Sequence, residues 1–178
     1  MKCVHGFSLI ELLTVLSIVA ILSAMSLTGF SIFWHKAASD TLSSELVRTI
    51  QLARSEAIAR HEKIILCGSV DHITCSDEWN HGYLIKTADR VIYHFSLNSE
   101  EGQLHWRSYP DPQTQLEFLA SGFLNLDNGT FWFCAKKALK PVWAVVLNQS
   151  TRVRMVYPDE DGNVRVDQGK PLLCFDKR

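Results

Sequence analysis

The first part of the chain is a run of apolar residues long enough to cross a lipid bilayer. Residues 12–34 carry no formal charge, and a helix of about 20 apolar residues crosses a hydrocarbon core that is roughly 30 Å thick. One acid, Glu11, stands at the beginning of this run. A carboxylate in lipid costs free energy unless a partner group compensates it, so this acid indicates a functional demand. We expect a membrane helix over residues 7–34.

After residue 35 the hydrophobic pattern changes from an uninterrupted run to a single stripe. Apolar residues recur at steps of four, four, three and four, which places them on one face of a helix. This spacing predicts that the helix continues through residues 36–62. The buried face is expected to be formed by Leu42, Leu46, Ile50, Ala53 and Ala57.

Short segments of strand type follow the helix. Residues 142–147 are all apolar, which indicates a central strand buried on both faces, and residues 152–157 alternate, which indicates one face in solvent. The other predicted strands cover residues 63–67, 82–86, 90–95, 103–107, 116–119 and 130–134. A long helix followed only by strands predicts an α+β fold, in which the helix packs on an antiparallel sheet.

The leader-like segment Gly6-Phe7-Ser8-Leu9-Ile10-Glu11, followed by the apolar run, resembles the class III signal peptide of type IV prepilins and type II secretion pseudopilins. The resemblance implies that residues 1–6 form a leader and that a prepilin peptidase cuts after Gly6. It also implies that the new N-terminus, Phe7, is methylated, and that Glu11 meets the methylated amine of a neighbouring subunit during assembly. The alternatives are an ordinary secretory signal and a simple N-terminal anchor. An ordinary secretory signal has an apolar core of about 7–15 residues, and this run is longer.

A second resemblance extends over the rest of the chain. It lies in Ala53-Arg54-Ser55-Glu56-Ala57-Ile58-Ala59-Arg60, in Ile64-Ile65-Leu66-Cys67 and in Trp79-Asn80-His81-Gly82. These segments resemble the GspH/FimT family of minor pilins and pseudopilins. The family implies a pilin-like fold, with residues 35–178 as a periplasmic domain that includes the amphipathic half of the helix. It also implies single-pass storage in the inner membrane before entry into the pilus fibre, with other major and minor pilins or pseudopilins as partners.

Formal charge is distributed unevenly between the two parts of this domain. Residues 35–133 carry 8 basic and 13 acidic side chains, a net charge of −5, whereas residues 134–178 carry 9 basic and 5 acidic ones, a net charge of +4. An anionic partner is therefore expected at the C-terminal quarter.

Some FimT-type members resemble DNA-uptake pilins, with a Gly-Arg-x-Arg motif that contacts DNA. The closest match here is Thr151-Arg152-Val153-Arg154, and its threonine puts the turn geometry in doubt because threonine disfavours positive φ. Residues two apart on a strand share a face, so Arg152 and Arg154 are candidates to hold successive phosphates of double-stranded DNA. Further basic candidates are Lys136, Lys137, Lys140, Arg165 and Lys170. The alternative is a solvated edge-strand face that is neutralised by Asp159, Glu160 and Asp161.

The cysteines indicate an oxidising compartment. Cys3 lies in the leader, and the four others lie in a domain placed outside the cytoplasm, where disulfides form. Four cysteines allow three pairings. We favour Cys67–Cys75, which closes a short loop, and Cys134–Cys174, which ties the C-terminal segment to a core strand. The alternative is a zinc site, whose spacing fits no strong ligand pattern, built from Cys67, His72, Cys75 and His81.

The sequence shows no motif for catalysis or cofactor binding. No serine stands in a nucleophile-elbow context, and no glycine-rich phosphate loop is present. The stretch Asp-Glu-Asp-Gly-Asn at residues 159–163 lacks the calcium-loop pattern and has ordinary turn chemistry. We expect a protein that is not an enzyme and uses no cofactor or metal. Three tasks remain open: priming of pilus assembly, DNA binding for natural transformation, and a GspH-type pseudopilin of type II secretion acting only through protein–protein contacts.

Overall fold

The structure, a computed structural model, describes residues 8–98, 101–109, 112–125, 128–166 and 170–174, without the side chains of residues 24–36. The chain divides into two compact units, Met1–Ala38 and Ser39–Arg178. The predicted leader, residues 1–6, and the methylation position Phe7 lie outside the described residues.

The first unit contains the beginning of a long helix, α1 (Leu9–Arg60). The apolar side chains described there are exposed, for example Leu9, Ile10 and Leu22. Among the residues that the structure describes, no helix is both long enough and apolar enough to cross a membrane.

The second unit begins with the amphipathic half of α1. All five residues of the predicted stripe, from Leu42 to Ala57, are at most 5% exposed, which confirms the face assigned from spacing. The helix ends at Arg60, and His61 takes a left-handed conformation with φ of 54°. A left-handed residue directly after the last turn is a common way to stop a helix.

The described residues after the helix form eight strands in two four-stranded antiparallel sheets, which confirms the predicted α+β fold of a long helix followed by antiparallel sheet. The first sheet has the order β3-β2-β1-β5 and the second has the order β4-β6-β7-β8. The strands are β1 (Ile64–Gly68), β2 (Gly82–Lys86), β3 (Val91–Ser96), β4 (Gly102–Tyr109), β5 (Gln115–Phe118), β6 (Asn128–Ala135), β7 (Trp143–Leu147) and β8 (Val153–Val156).

The main hydrophobic core lies between α1 and the two sheets. It contains Leu46 and Ile50 from α1, Tyr83 from the first sheet, and Phe131 and Trp143 from the second. As predicted, β7 is a central strand, because it pairs with both β6 and β8 and is almost fully buried. The indole Nε1 of Trp143 donates to the Ser39 backbone oxygen at 3.2 Å and to its hydroxyl at 3.0 Å, which fixes the sheet against the beginning of this unit.

A smaller core covers the other face of the second sheet. Trp132 and Cys134 of β6 pack there against Leu172 and Cys174 of the C-terminal segment. Since the unit Ser39–Arg178 contains both cores and all eight strands, it has what an independently folding domain requires.

Both disulfides of the favoured pairing are present. Cys67 is bonded to Cys75 across eight positions, and Cys134 is bonded to Cys174 across forty positions. Because Cys67 and Cys75 are bonded to each other, neither offers a thiolate to a metal, so the alternative of a zinc site at these residues was wrong.

Candidate functional site

The turn before β8 carries the residue that the sequence placed in doubt. Thr151 has φ of 59° and is fully buried, so threonine takes the left-handed conformation for which glycine is normally used. Its backbone N–H donates to the Asn148 oxygen at 2.8 Å. Its hydroxyl lies 3.2 Å from the carbonyl oxygen of Gly122 and 2.6 Å from that of Ser150. The surrounding contacts thus hold a glycine-like turn without a glycine.

Arg152 follows this turn and precedes the first residue of β8. Its backbone N–H donates to the side-chain oxygen of Asn148 at 2.9 Å, which orients the chain as it leaves the turn. Its side chain is exposed, and the described part of the chain offers its guanidinium no hydrogen bond or ion pair. Arg152 lines a groove of about 580 Å³ together with Arg54 of α1 and Phe123.

Arg154 lies within β8, opposite Val146 of β7. Its guanidinium donates to the backbone oxygen of Val166 at 2.8 Å, so its partner is a neutral carbonyl and not a carboxylate. The prediction that Arg152 and Arg154 share a face assumed that both stand on the strand. Only Arg154 does, because β8 begins at Val153.

A third arginine lies in the same row of the sheet, and the sequence analysis missed it. Arg107 of β4 is opposite Thr130 of β6, Thr130 is opposite Val146, and Val146 is opposite Arg154. Neighbouring strands lie about 4.8 Å apart, which puts the two arginine backbones about 14 Å from each other. The guanidinium of Arg107 lies 5.9 Å from the ring centroid of Trp132. The sequence predicted a strand at residues 103–107, but no local signal gives the cross-strand register that brings Arg107 into this row.

The predicted lysines do not join this row. Lys136, Lys137 and Lys140 lie in the connection between β6 and β7, next to the strand ends where Phe133 pairs with Trp143. The Thr151 turn lies at the opposite end of β7. The Lys140 ammonium donates to the backbone oxygen of Asp161 at 2.8 Å. Lys170 is exposed on the C-terminal segment.

The acidic turn after β8 pairs with a different arginine from those expected. Arg165 forms an ion pair with Asp159 at 3.1 Å, and within the described residues neither Arg152 nor Arg154 pairs with an acid. A hydrogen bond from the backbone of Asn163, together with the Arg165 guanidinium, lowers the pKa of Asp159. In the basic C-terminal quarter, Arg152 and Arg154 therefore follow the last residue of β7, whereas the lysines at residues 136–140 precede its first residue.

The assembly candidate Glu11 lies in the first turn of α1. Its backbone N–H donates to the Ser8 oxygen at 3.0 Å and its side chain is exposed. A negative charge in the first turn interacts favourably with the helix dipole. The cleavage position Gly6 lies outside the described residues.

Two family models match this chain. Residues 42–151 match the family described as Type II transport protein GspH, and residues 1–27 match the prokaryotic N-terminal methylation motif. No curated protein matches.

Solved structures of minor pilins and pseudopilins are similar to this one. Two structures of the minor pseudopilin EpsH from the type 2 secretion system of Vibrio cholerae are 18% and 16% identical, with TM-scores of 0.50 and 0.51. They cover 69% and 70% of this chain, and 98% and 99% of their own length. The type IV minor pilin FimU of Pseudomonas aeruginosa is 20% identical with a TM-score of 0.49, over 65% of this chain and 86% of its own.

The EpsH structures share the fold of a helix followed by antiparallel sheets, as described above. The GspH model covers more than half of the chain and includes the helical stripe, the first sheet and the turn at Thr151. The methylation motif covers the segment from which the pilin-type leader was predicted. Interaction with other pilins in a pilus or pseudopilus fibre follows from this membership. The chain therefore belongs to the GspH family of minor pilins and pseudopilins.

Proposed function

We propose that this subunit is a minor pilin of a type IV pilus and takes part in pilus assembly. Before assembly it is a single-pass protein of the inner membrane, with residues 7–34 in the bilayer and residues 35–178 in the periplasm. The methylation motif at residues 1–27 supports this proposal, as do the two disulfides, which suit an oxidising compartment. In this proposal the prepilin peptidase cuts after Gly6 and methylates Phe7.

We further propose that the C-terminal unit binds double-stranded DNA for uptake through Arg152 and Arg154. The observation that carries this step is the left-handed Thr151, because it provides the turn for which the uptake motif uses glycine. The Arg152 guanidinium has no partner within the described residues, and the Arg154 guanidinium donates there to one neutral carbonyl. Arg107 extends the row, and arginines that contact phosphates bind DNA without sequence preference.

A gel-shift titration of the unit Ser39–Arg178 with double-stranded DNA tests this second step. We expect binding at low salt that weakens steeply as salt rises, since each phosphate contact lowers the slope of log K against log salt by about 0.9. Arg152→Gln/Arg154→Gln should lower the affinity and flatten this slope by about two contacts. The matched control Lys137→Gln/Lys140→Gln removes the same amount of charge at the opposite end of β7. It should change the slope of log K against log salt less. No binding of the original protein at low salt would refute DNA contact.

The second candidate is a GspH-type minor pseudopilin of a type II secretion system. The matching family, which is described as Type II transport protein GspH, favours it. A subunit of this kind acts only through protein–protein contacts. Deleting the gene separates the two candidates, because loss of surface pili with normal secretion supports the pilus, and loss of secretion with normal pili supports the pseudopilus.

A further inference from the structure

A groove whose lining includes apolar side chains and two arginines lies between α1 and β8. Its lining includes four apolar residues, which we call its floor, and polar residues that include Arg54 and Arg152. The apolar residues are Val47, Phe123, Val153 and Met155. Phe123 is 48% exposed, which is unusual for a phenylalanine beside a hydrophobic core. The groove has a volume of about 580 Å³, and none of the described residues that line it is acidic. We call this site the arginine-flanked groove.

The two flanking arginines define what the groove can hold. Within the described part of the chain, neither the Arg54 nor the Arg152 guanidinium has a hydrogen-bond or ion-pair partner. Two unpaired cations beside an apolar floor are complementary to an apolar side chain that stands next to carboxylates.

Another part of the same chain has this complementary chemistry. Residues 70–78 contain three acids, Asp71, Asp77 and Glu78, and no lysine or arginine. Two apolar side chains project from this segment into solvent, Val70 at 52% and Ile73 at 67% exposure. We call residues 70–78 the acidic loop. Isolated exposed apolar residues are ordinary, but two of them in one short acidic loop indicate a contact surface.

The acidic loop is held in one shape. The Cys67–Cys75 disulfide closes it. The Asp71 carboxylate accepts hydrogen bonds from the backbone N–H of Ile73 at 2.9 Å and of Thr74 at 2.8 Å, and these bonds lower the pKa of Asp71. A loop that is already ordered loses little conformational entropy when it binds.

The remaining acids of the loop are available to a partner. Asp77 has no hydrogen bond or ion pair within the described residues. Glu78 is 58% exposed at its side chain and has His81 at 3.4 Å as its ion-pair neighbour. The loop therefore presents an apolar tip together with two exposed carboxylates.

We propose that the arginine-flanked groove of one copy receives the acidic loop of a second copy of this chain. Ile73 lies on the apolar floor, and Asp77 and Glu78 face Arg54 and Arg152. The two surfaces belong to different parts of the molecule, so the contact is heterologous, and such contacts extend into open filaments or rings. This contact would be one of the subunit–subunit surfaces used in assembly, so its biological role rests on the proposed function.

One loop in one groove makes a small interface, and small interfaces bind weakly between free molecules. In a fibre the N-terminal helices already hold neighbouring subunits together. The second contact then becomes intramolecular, and its effective concentration rises to about the millimolar range. The contact therefore acts as a lateral link within a fibre.

Photo-crosslinking tests this contact without involving the disulfides. The unit Ser39–Arg178 carries p-benzoylphenylalanine at position 123 and is irradiated at high protein concentration, and the crosslinked dimer is digested and mapped by mass spectrometry. We expect crosslinks to residues 70–78 of the second copy. A matched sample carries the label at position 139, where Leu139 is 72% exposed, and should give about tenfold less of that product.

Charge reversal tests the complementarity. Arg54→Glu/Arg152→Glu in the labelled copy should reduce the mapped crosslink about tenfold, because the new carboxylates repel the carboxylates of the acidic loop. Adding Asp77→Lys/Glu78→Lys in the unlabelled copy should restore it. Ile73→Ala in the unlabelled copy should reduce it while leaving the fold intact, since Ile73 is exposed.

Three results would overturn the proposal. One is a crosslink from position 123 that maps outside residues 70–78 or matches the yield from position 139. Another is a crosslink whose yield is the same with and without the two charge reversals. Binding of DNA but not of a second copy would assign the groove to DNA and would also overturn the contact. None of these results depends on a pilus or a membrane, so the contact fails or stands separately from the pilus proposal.

Discussion

His105 lies on β4 in surroundings that disfavour its protonated form. Its ring stacks on Trp132 with 5.2 Å between the centroids. Its Nε2 atom is buried and has no hydrogen-bond partner among the described residues. Burial disfavours the imidazolium and lowers the pKa of His105.

This lowered pKa predicts a pH dependence of stability. The unfolded chain has the ordinary histidine pKa of about 6.5, so between this value and the lower folded value the unfolded state binds more protons. The free energy of unfolding therefore falls as the pH drops below about 6.5. His105→Phe keeps a ring on Trp132 and cannot be protonated, so its curve should be flatter between pH 7 and pH 5 in urea unfolding.

The internal control for this experiment lies at lower pH. The carboxyl groups of Asp71 and Asp159 have lowered pKa values, so their stabilisation is lost only below the ordinary aspartate pKa of about 3.9. This acid limb should be the same in both proteins. Equal slopes for the original protein and His105→Phe between pH 7 and pH 5 would rule out His105 as the source.

At the scale of elements, the β7–β8 turn stores backbone strain at Thr151. A left-handed conformation costs a β-branched residue about 1–2 kcal/mol. The buried hydroxyl near the carbonyl oxygen of Gly122 offsets part of this cost. This turn connects the central strand to the edge strand that carries Arg154.

Two substitutions at Thr151 separate strain from hydrogen bonding. Thr151→Val keeps the branched shape and the strain but removes the hydroxyl, so it should cost about 1–3 kcal/mol in urea unfolding. Thr151→Gly also removes the hydroxyl but relieves the strain, at about 0.4–1 kcal/mol of unfolded-state entropy. We expect Thr151→Gly to be the more stable of the two. The strain argument fails if Thr151→Val is at least as stable.

Local patterns predicted those elements whose cause is local. The stripe from Leu42 to Ala57 follows the helical period, and all its members are buried. The apolar run of β7 is a central strand because apolar residues on both faces need cover on both faces. Both disulfides also follow the favoured pairing.

Long-range pairing was not predictable in the same way. β5 pairs with β1 rather than with its neighbour β4, and β4 pairs with β6, which divides the strands into two sheets. This choice depends on how both sheets share the buried face of α1, and no local period records it. The same limit explains why Arg107 was missed and why the sequence did not separate the lysines at residues 136–140 from the row that contains Arg154.

At the scale of the whole molecule, membrane anchoring alone does not explain why an acid, Glu11, stands in the apolar segment. It stands in the first turn of α1, at the beginning of an otherwise uncharged run. In the proposed pathway this carboxylate meets the methylated amine of Phe7 in a neighbouring subunit. The Coulomb attraction between two opposite charges is far stronger away from water than in solvent. Removing one partner leaves the other as an unpaired charge.

Glu11→Ala should therefore leave the protein in the membrane fraction and remove it from sheared pili. Membrane retention is expected because the substitution takes an acid out of an apolar segment, which makes insertion more favourable. Thr14→Ala, one turn further along the same helix, removes a hydroxyl whose hydrogen bond within the described residues goes to the Glu11 backbone oxygen and should leave incorporation unchanged. Immunoblots of membranes and of sheared fibres measure both quantities. Incorporation of Glu11→Ala at the normal level would refute the pairing, whereas its loss from both fractions would point to failed insertion instead.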